Sequence, residues 1–359
     1  MSDNRRVYRT IKQAIVQLYP GEPKGNTARM LTTLAAMVSG IVMGKSCQLP
    51  AIARKAPDRA KADSRVKRYS RWIQNERIEY EVYYLPFVQE LLYHLAAIRE
   101  LVFIIDGSEV GQGCITLMIS LLYGKRALPI TWLVVKGCKG HLPEHVHLQL
   151  LGQLHDILPP KAQAILLGDG EFDGIELQAA LQAMGLQYVC RTAKNAVLYE
   201  DDQSFSFSDL LVQPDDLISV PNVWFTKEGY GPVMALAWWQ KGYAEPIFLI
   251  TNLPLPDEAC YWYKKRFRIE TFFSDQKSRG FHLHKSHLAD TERLGTLMIA
   301  ACLAYLWVIY LGLTALREDW TKLLHRVDRC DWSLFLLGLA LLDHLLNEEL
   351  LIPVSFSLL

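Results

Sequence analysis

The spacing of apolar residues changes twice along the chain. Residues 1–98 carry apolar positions at helical intervals, most clearly over 28–43, and this spacing predicts a helical N-terminal region. From residue 101 the apolar residues come in short runs bounded by Gly, Pro and Lys, which is typical of strands. Helical spacing returns over 257–349. The pattern therefore predicts an α/β core between two helical regions.

The α/β part predicts seven elements in a definite order, namely three strands, a helix, a strand, a second helix and a fifth strand. The segments are, in turn, 101–106, 114–124, 128–137, 144–157, 164–172, 174–185 and 186–192. This is the order of an RNase H-like core with a mixed sheet. Residues 193–252 then interrupt the pattern, and their β-branched and aromatic residues predict a β-rich insertion.

The formal net charge is zero, but the charges are unevenly distributed. Residues 1–77 contain 16 Lys and Arg against 5 Asp and Glu, a net charge of +11, which leaves −11 for the rest of the chain. This asymmetry predicts a basic region that binds a polyanion, joined to a more acidic body.

Two further patterns bear on metals and on redox environment. The seven cysteines are scattered without a CxxC pair, so neither a zinc cluster nor a disulfide framework is predicted, and a reducing cytosol is expected. Three histidines hint at a separate metal cluster: His141, His145 and His147. Pro143 interrupts their helical spacing, and no cysteine or carboxylate pattern supports zinc there.

Two acids stand where predicted strands end. Asp106 ends the first strand and Asp169 the fourth, and in a mixed sheet these strands can be neighbours, which would bring both acids to one edge. Paired carboxylates repel each other unless a cation or a proton lies between them, and oxygen ligands suit Mg²⁺. Acids at strand ends also serve as helix caps and turn residues. Glu171 and Asp173 are alternative ligands beside Asp169.

A third acid belongs to a stripe of functional side chains. In the segment 261–280, the residues Tyr263, Arg266, Glu270 and Lys277 are offset by 3, 7 and 14 positions. On one helix they fall within a sector of about 60° from Tyr263, over about 21 Å of axis. The alternative is an amphipathic surface helix with an i, i+4 ion pair between Arg266 and Glu270. That alternative explains the tyrosine and the distant lysine less well.

The spacing Y-x2-R-x3-E-x6-K resembles the YREK signature of insertion-sequence DDE transposases, the cut-and-paste group with an RNase H-like catalytic domain. Asp106, in IIDGS, resembles the first aspartate of that family, and Asp169, in LLGDGEFDG, resembles the second. The family also carries its insertion between the second aspartate and the glutamate. The resemblance covers roughly residues 100–315.

The resemblance implies metal-dependent cleavage of DNA by Asp106, Asp169 and Glu270, which would hold two Mg²⁺ or Mn²⁺ ions. In the family, water first frees a 3′-OH at the transposon end. That 3′-OH then attacks the opposite strand, which forms a hairpin, or attacks target DNA. The implied partners are double-stranded DNA, as terminal inverted repeats and target, and a second copy of the chain in a homodimer. The implied location is the cytoplasm of a prokaryote, at the nucleoid.

The resemblance also implies DNA contacts outside the metal site. Tyr263, Arg266 and Lys277 would position the backbone around the scissile phosphate. Some members hold a flipped base with a tryptophan in the insertion, and the corresponding position falls near Ile247, which is not aromatic. Three tryptophans are alternatives, although core packing is the simpler role for each: Trp238, Trp239 and Trp262.

The residues 49–73 predict a helix, a turn and a second helix with a basic face. This face consists of Lys61, Arg65 and Arg68, flanked by Lys67 and Arg71. Such a face suits the phosphate backbone or the major groove of DNA. The alternative is a solvated helix surface. The local net charge of +11 favours DNA.

One segment has the length of a membrane span. Residues 294–316 are uncharged between Arg293 and Arg317. Because glycines, threonines and a tyrosine dilute the apolar run and no second segment of that length is evident, we expect a buried helix and no membrane partner.

The sequence thus predicts five parts and three functional classes. The parts are a helical DNA-binding domain (1–98), the first part of an RNase H-like core (99–192), a β-rich insertion (193–252), a core helix carrying the third carboxylate (253–290) and a C-terminal helical region (291–359). The favoured class is a transposase. The others are a nuclease on the same fold without strand transfer, and a catalytically silent DNA-binding protein derived from a transposase.

Overall fold

Helices form both ends of the chain and strands form its middle. The computed structural model describes residues 1–19, 21–140, 142–201, 203–326 and 331–358, so His141 and Cys330 of the patterns above lie outside the described residues. The N-terminal helices are α1 (Asp3–Gln17), α2 (Gly25–Gly44), α3 (Leu49–Lys55), α4 (Ala62–Ile73), α5 (Tyr80–Tyr83) and α6 (Leu85–Ala96).

The middle of the chain contains the strands and two helices. The elements are β1 (Leu101–Gly111), β2 (Cys114–Tyr123), β3 (Arg126–Lys136), α7 (Glu144–Ile157), β4 (Ala164–Gly168), α8 (Ile175–Ala183), β5 (Gln187–Thr192), β6 (Val197–Glu200), β7 (Gln203–Ser206), β8 (Leu217–Phe225), β9 (Tyr230–Trp238) and β10 (Ile247–Thr251). The first seven elements occur in the predicted order. The structure thus confirms a mixed α/β protein with a large mixed sheet.

The C-terminal part is helical again, with α9 (Pro256–Tyr263), α10 (Arg268–Gln276), α11 (Thr291–Arg317), α12 (Thr321–Leu324) and α13 (Leu334–Asn347). The chain divides into two compact units. The helical unit comprises Met1–His94, Glu109–Cys114 and Phe273–Leu359. The sheet unit comprises Leu95–Ser108 and Ile115–Phe272.

A single ten-stranded sheet organises the sheet unit, in the order β3-β2-β1-β4-β5-β10-β9-β8-β6-β7. The central strands β1, β4 and β5 are parallel, and every residue of β4 is buried. Parallel strands covered on both faces require such continuous apolar runs. The predicted β-rich insertion extends this sheet, because β10 pairs antiparallel with β5 and β9 pairs antiparallel with β10.

The pairing of β1 with β4 sets the positions of the two aspartates. Leu101 pairs with Ala164 and Ile104 pairs with Leu167, so two further steps along both strands bring Asp106 level with Asp169. The prediction that Asp106 ends its strand is wrong, because β1 continues to Gly111. Asp169 does follow the last residue of β4.

The predicted helix through 261–280 is interrupted. The helix α9 ends at Tyr263, residues 264–267 form turns, and α10 begins at Arg268. Lys264 N–H still donates to the Cys260 carbonyl, but the backbone hydrogen bonds that follow run from residue i to i−3, including Arg266 N–H to the Tyr263 carbonyl at 3.0 Å. Such bonds give a tighter turn than an α-helix. The four signature residues therefore do not lie on one regular helix.

Among the residues that the structure describes, two helices are long and apolar enough to span a membrane. They are α11, with 83% of its most apolar window buried, and α2, with 56%. The expectation of a single candidate segment is therefore wrong. Burial inside the unit is what a core helix shows, and α11 packs against α13. A Cβ at Gly338 would overlap the Val308 carbonyl oxygen, so this crossing requires a residue without a side chain.

Candidate active site

Asp106 is the buried centre of a charged cluster in the sheet unit, with a side chain only 1% exposed. Its Oδ1 accepts a hydrogen bond from the Gly107 N–H at 2.7 Å and lies 3.1 Å from Lys139 Nζ. Its Oδ2 lies 3.5 Å from Arg266 Nη1. Burial raises the pKa of the Asp106 carboxyl, with Asp169 adding to the rise, while Lys139 and Arg266 oppose it. Both carboxylate oxygens are therefore engaged by cations.

Asp169 lies beside Asp106 at the end of β4. Its Oδ1 accepts a hydrogen bond from the Glu171 N–H at 3.1 Å, which fixes the turn after the strand. Its Oδ2 is 3.8 Å from Arg266 Nη1, and its side chain is 27% exposed. The strand pairing therefore brings together two acids that are 63 residues apart in the sequence.

Arg266 joins the three predicted carboxylates. Besides the contacts of Nη1 with Asp106 and Asp169, its Nη2 lies 3.2 Å from Glu270 Oε1. The side chain is 16% exposed. Burial lowers the pKa of the guanidinium, but Tyr263 and the three carboxylates raise it above its ordinary value. A single cation thus lies between acids from β1, from the end of β4 and from α10.

Tyr263 precedes Arg266 in the sequence, and Glu270 follows it. Glu270 is in the first turn of α10, and its side chain is 58% exposed. Tyr263 is buried, and burial raises the pKa of its phenol, while Arg266 and Arg191 lower it. At neutral pH the phenol therefore stays protonated and can donate a hydrogen bond.

Lys277 does not continue this arrangement along one helix. The helix α10 ends at Gln276, and Lys277 belongs to the helical unit, where its N–H donates to the Phe273 carbonyl at 3.0 Å. The predicted stripe is therefore wrong as a single helical face. A DNA-contacting role for Lys277 stays a prediction.

The two alternative acids, Glu171 and Asp173, support the neighbouring loops. Glu171 accepts hydrogen bonds from the N–H groups of Gly140 and Leu142, both at 3.1 Å. Asp173 accepts a hydrogen bond from Thr192 Oγ1 at 2.7 Å. Burial raises the pKa of both carboxyls, and these hydrogen bonds lower it. The contacts of Glu171 fix the loop that presents Lys139 to Asp106.

Sequence reasoning missed two residues of this site. Lys139 contacts Asp106 across 33 positions of chain, and Arg191 on β5 adds positive charge beside Tyr263. No motif spacing connects either residue with the acids, because Lys139 reaches them from the loop after β3 and Arg191 from the neighbouring strand β5. Of the three tryptophans predicted as alternatives for holding a flipped base, Trp238 is buried, and that role stays a prediction for all three.

The cluster offers only oxygen donors. In the part of the chain that the structure describes, no group of three or more His, Cys, Asp or Glu is arranged tightly enough to hold a metal ion. The three carboxylates instead converge on the Arg266 guanidinium, a cation that each approaches to within 3.8 Å. Carboxylate oxygens are the ligands that Mg²⁺ and Mn²⁺ prefer, so the donor set fits these ions.

The predicted basic face of α4 uses part of its charge internally. Arg65 Nη1 donates to the carbonyls of Ala53 at 2.7 Å and Ala56 at 3.1 Å, which closes the turn between α3 and α4. Arg68 Nη2 lies 2.6 Å from Asp58 Oδ2. Lys61 is exposed at the N-cap of α4. Two exposed basic residues on the flank complete this surface: Lys67 and Arg71.

The protein has a large mixed sheet with an acidic cluster on its central strands. A comparison with known protein families identifies the family to which it belongs. Residues 99–307 match the family described as the transposase DDE domain, which is more than half of the chain. The chain belongs to this transposase family.

Comparisons with curated proteins and with solved structures do not refine this family assignment. No curated protein matches the chain. One similar solved structure is a cryo-EM structure of a piggyBac transposase synaptic complex with hairpin DNA, at 12% identity and a TM-score of 0.46. The match covers 98% of this chain and 83% of that one. A likeness this distant bears neither on substrate nor on mechanism.

Proposed function

We propose that the chain is a DNA transposase that cleaves DNA at transposon ends and joins the freed 3′ ends to target DNA. The observation that carries the proposal is the convergence of Asp106, Asp169 and Glu270 on one guanidinium, in a chain of the transposase DDE family. Three acids from separate elements would repel one another without a cation between them, so the site is built for positive charge.

Asp106, Asp169 and Glu270 are the proposed ligands of two Mg²⁺ or Mn²⁺ ions. Bound there, the ions would activate the attacking oxygen and stabilise the leaving oxygen in phosphoryl transfer. The residues differ in freedom. Asp106 is buried within β1 and provides a fixed point, whereas Glu270 is exposed at the start of α10 and can adjust its position.

Tyr263, Arg266 and Lys277 are proposed to orient the DNA backbone. The planar guanidinium of Arg266 can donate two parallel hydrogen bonds to a phosphate, and the protonated phenol of Tyr263 can donate one more. These residue types at this spacing support membership of the insertion-sequence group with the YREK signature. The order of the first seven elements supports an RNase H-like core.

The N-terminal helical region is proposed to bind the terminal inverted repeat. The exposed residues of α4 support this, with Lys61, Lys67 and Arg71 available to phosphates. Arg65 supports the turn rather than the DNA contact, and Arg68 would have to exchange Asp58 for a phosphate. The five sequence-based domains remain part of this proposal. So do a homodimer on DNA, because pairing two ends needs two sites, and a location at the prokaryotic nucleoid.

The test is cleavage and joining of a labelled duplex that carries the terminal repeat from the DNA flanking the gene. With Mg²⁺, the wild-type chain should nick the end and join it to a plasmid. Glu270→Gln should lower cleavage by about 10³-fold or more while DNA binding persists. Glu245→Gln, an exposed carboxylate between β9 and β10, is the matched control and should cleave normally.

The outcomes separate the alternatives. Nicking without joining would make the chain a nuclease, and DNA binding without cleavage under any divalent metal would make it a silent DNA-binding protein. Unchanged cleavage by Glu270→Gln would reject the assignment of the third carboxylate.

A further inference from the structure

We propose that Arg266 and Lys139 are displaceable counter-ions of the carboxylate cluster, which oppose metal binding in the DNA-free chain and leave the carboxylates when DNA phosphates arrive. Metal loading would then be coupled to DNA binding. The inference rests on the proposed function, because it takes Asp106, Asp169 and Glu270 as the metal ligands.

The first step of the argument is that metal and side chains need the same oxygen atoms. Asp106 Oδ1 is 3.1 Å from Lys139 Nζ, and Oδ2 is 3.5 Å from Arg266 Nη1. Arg266 also approaches the oxygens of Asp169 and Glu270. A divalent ion on these oxygens would stand within a few ångströms of two positive charges, and like charges at that distance disfavour each other. Binding of the metal therefore competes with both contacts.

The second step is that both cations can move. Lys139 has a half-exposed side chain, at 48%, on the loop between β3 and α7. Glu171 holds the backbone of this loop at Gly140 and Leu142, so the lysine side chain can swing while the loop stays in place. Arg266 lies in the turns between α9 and α10, and its long side chain can rotate away from the carboxylates while the backbone hydrogen bonds of these turns are kept.

The third step is that DNA phosphates can replace the carboxylates as partners of both cations. Guanidinium and ammonium groups form strong charge-assisted hydrogen bonds with phosphate oxygens. If DNA draws Arg266 and Lys139 from the carboxylates, DNA raises metal affinity, and by linkage metal raises DNA affinity by the same factor. Lys139 thereby becomes a positioning residue that the signature does not include.

The test measures Mn²⁺ binding to the full DNA-free chain, through loss of the free-ion signal in electron paramagnetic resonance. An opposite charge at this distance stabilises an ionised carboxylate by one or more pKa units, so Arg266→Gln should tighten Mn²⁺ binding by about tenfold. Lys139→Gln should tighten it several-fold. Lys125→Gln is the control. It removes the same charge from the exposed β2–β3 turn, near the start of β1, and should change the Mn²⁺ dissociation constant less than about twofold.

A second measurement tests the coupling. Adding terminal-repeat duplex should tighten Mn²⁺ binding to the wild type by about tenfold or more, which lies within the typical range of about 5- to 150-fold for coupled sites. In the Arg266→Gln, Lys139→Gln double variant this gain should fall to about twofold. Because Lys139 is a half-exposed loop residue, Lys139→Gln keeps the test valid even if Arg266→Gln misfolds, which circular dichroism would reveal.

Asp106→Asn separates failure of this inference from failure of the proposed function. If Asp106→Asn abolishes Mn²⁺ binding while the Arg266 and Lys139 variants bind as the wild type does, the metal site stands and the counter-ion role is overturned. If Asp106→Asn binds Mn²⁺ like the wild type, the metal site is misassigned, and the inference is overturned with it.

Discussion

Two arginines, one in each unit of the chain, have opposite surroundings. Arg266 in the sheet unit contacts carboxylates from three different elements. Arg65 in the helical unit donates to two backbone carbonyls of its own helix–turn–helix segment and has one carboxylate, that of Asp58, 3.7 Å from its Nε. The first contact lies between side chains that a substrate or a metal can compete for. The second adds a side-chain donor to backbone carbonyls at the C-terminal end of α3 and closes the turn to α4. The two arginines thus differ in their main acceptors, which are carboxylates at Arg266 and backbone carbonyls at Arg65.

In the comparison of these two arginines, the largest expected effect is on catalysis at Arg266. Arg266→Lys keeps the charge but loses the planar fork that reaches several oxygens, so transposon-end cleavage should fall by about 100-fold. The free energy of unfolding should change by less than about 1 kcal/mol, because the charge is retained. A cleavage time course and urea unfolding measure the two quantities. Cleavage by Arg266→Lys at the wild-type rate would contradict the idea that Arg266, unlike Arg65, acts in catalysis.

The same substitution at Arg65 should affect stability instead. Arg65→Lys loses the two hydrogen bonds to Ala53 and Ala56 that close the turn, so the free energy of unfolding should fall by about 2 kcal/mol. Cleavage per folded molecule should remain at the wild-type rate. Unaltered stability together with a loss of DNA affinity would show instead that Arg65 belongs to the DNA-binding surface.

A smaller effect is expected at the exposed basic residues of α4. Lys67→Gln and Arg71→Gln should each lower the slope of log affinity against log salt by about 1, because each removes one phosphate contact. Their free energies of unfolding should stay within about 0.5 kcal/mol of the wild type. Fluorescence anisotropy at several salt concentrations measures the slope. Lys125→Gln serves as the charge-matched control, and slopes equal to that control would exclude α4 from the DNA surface.

The smallest effect concerns pH and Asp173. Burial raises the pKa of this carboxyl above its ordinary 3.8 in the folded chain, so the folded state binds a proton more readily than the unfolded state. Protonated Asp173 therefore contributes to the free energy of unfolding below pH 3.8, and this contribution is lost as the pH rises through the raised pKa. When the free energy of unfolding is measured as the pH rises through this range, Asp173→Asn should therefore lose less of it than the wild type. Asp156→Asn, whose side chain is 82% exposed, should match the wild type.

The contrast between the units also explains how far sequence reasoning reached. Apolar runs and helical spacing predicted the first seven elements of the sheet unit in their order, because buried parallel strands need continuous apolar residues. The extent of β1 was wrong, since an acid within a strand resembles a strand end in sequence. The interruption at 264–267 was also missed, because the signature residues keep helical spacing across it.

The sequence by itself determined which residue types are available: two acids after apolar runs, a spaced signature with the third acid, and a basic N-terminal region. Tertiary structure decided which of them meet. The parallel pairing of β1 with β4 placed Asp106 level with Asp169, and the turns after α9 brought Arg266 to both. Lys139 joined them through a loop held by Glu171. Contacts across 33 to 160 positions of chain depend on strand register and loop closure, which local spacing does not encode.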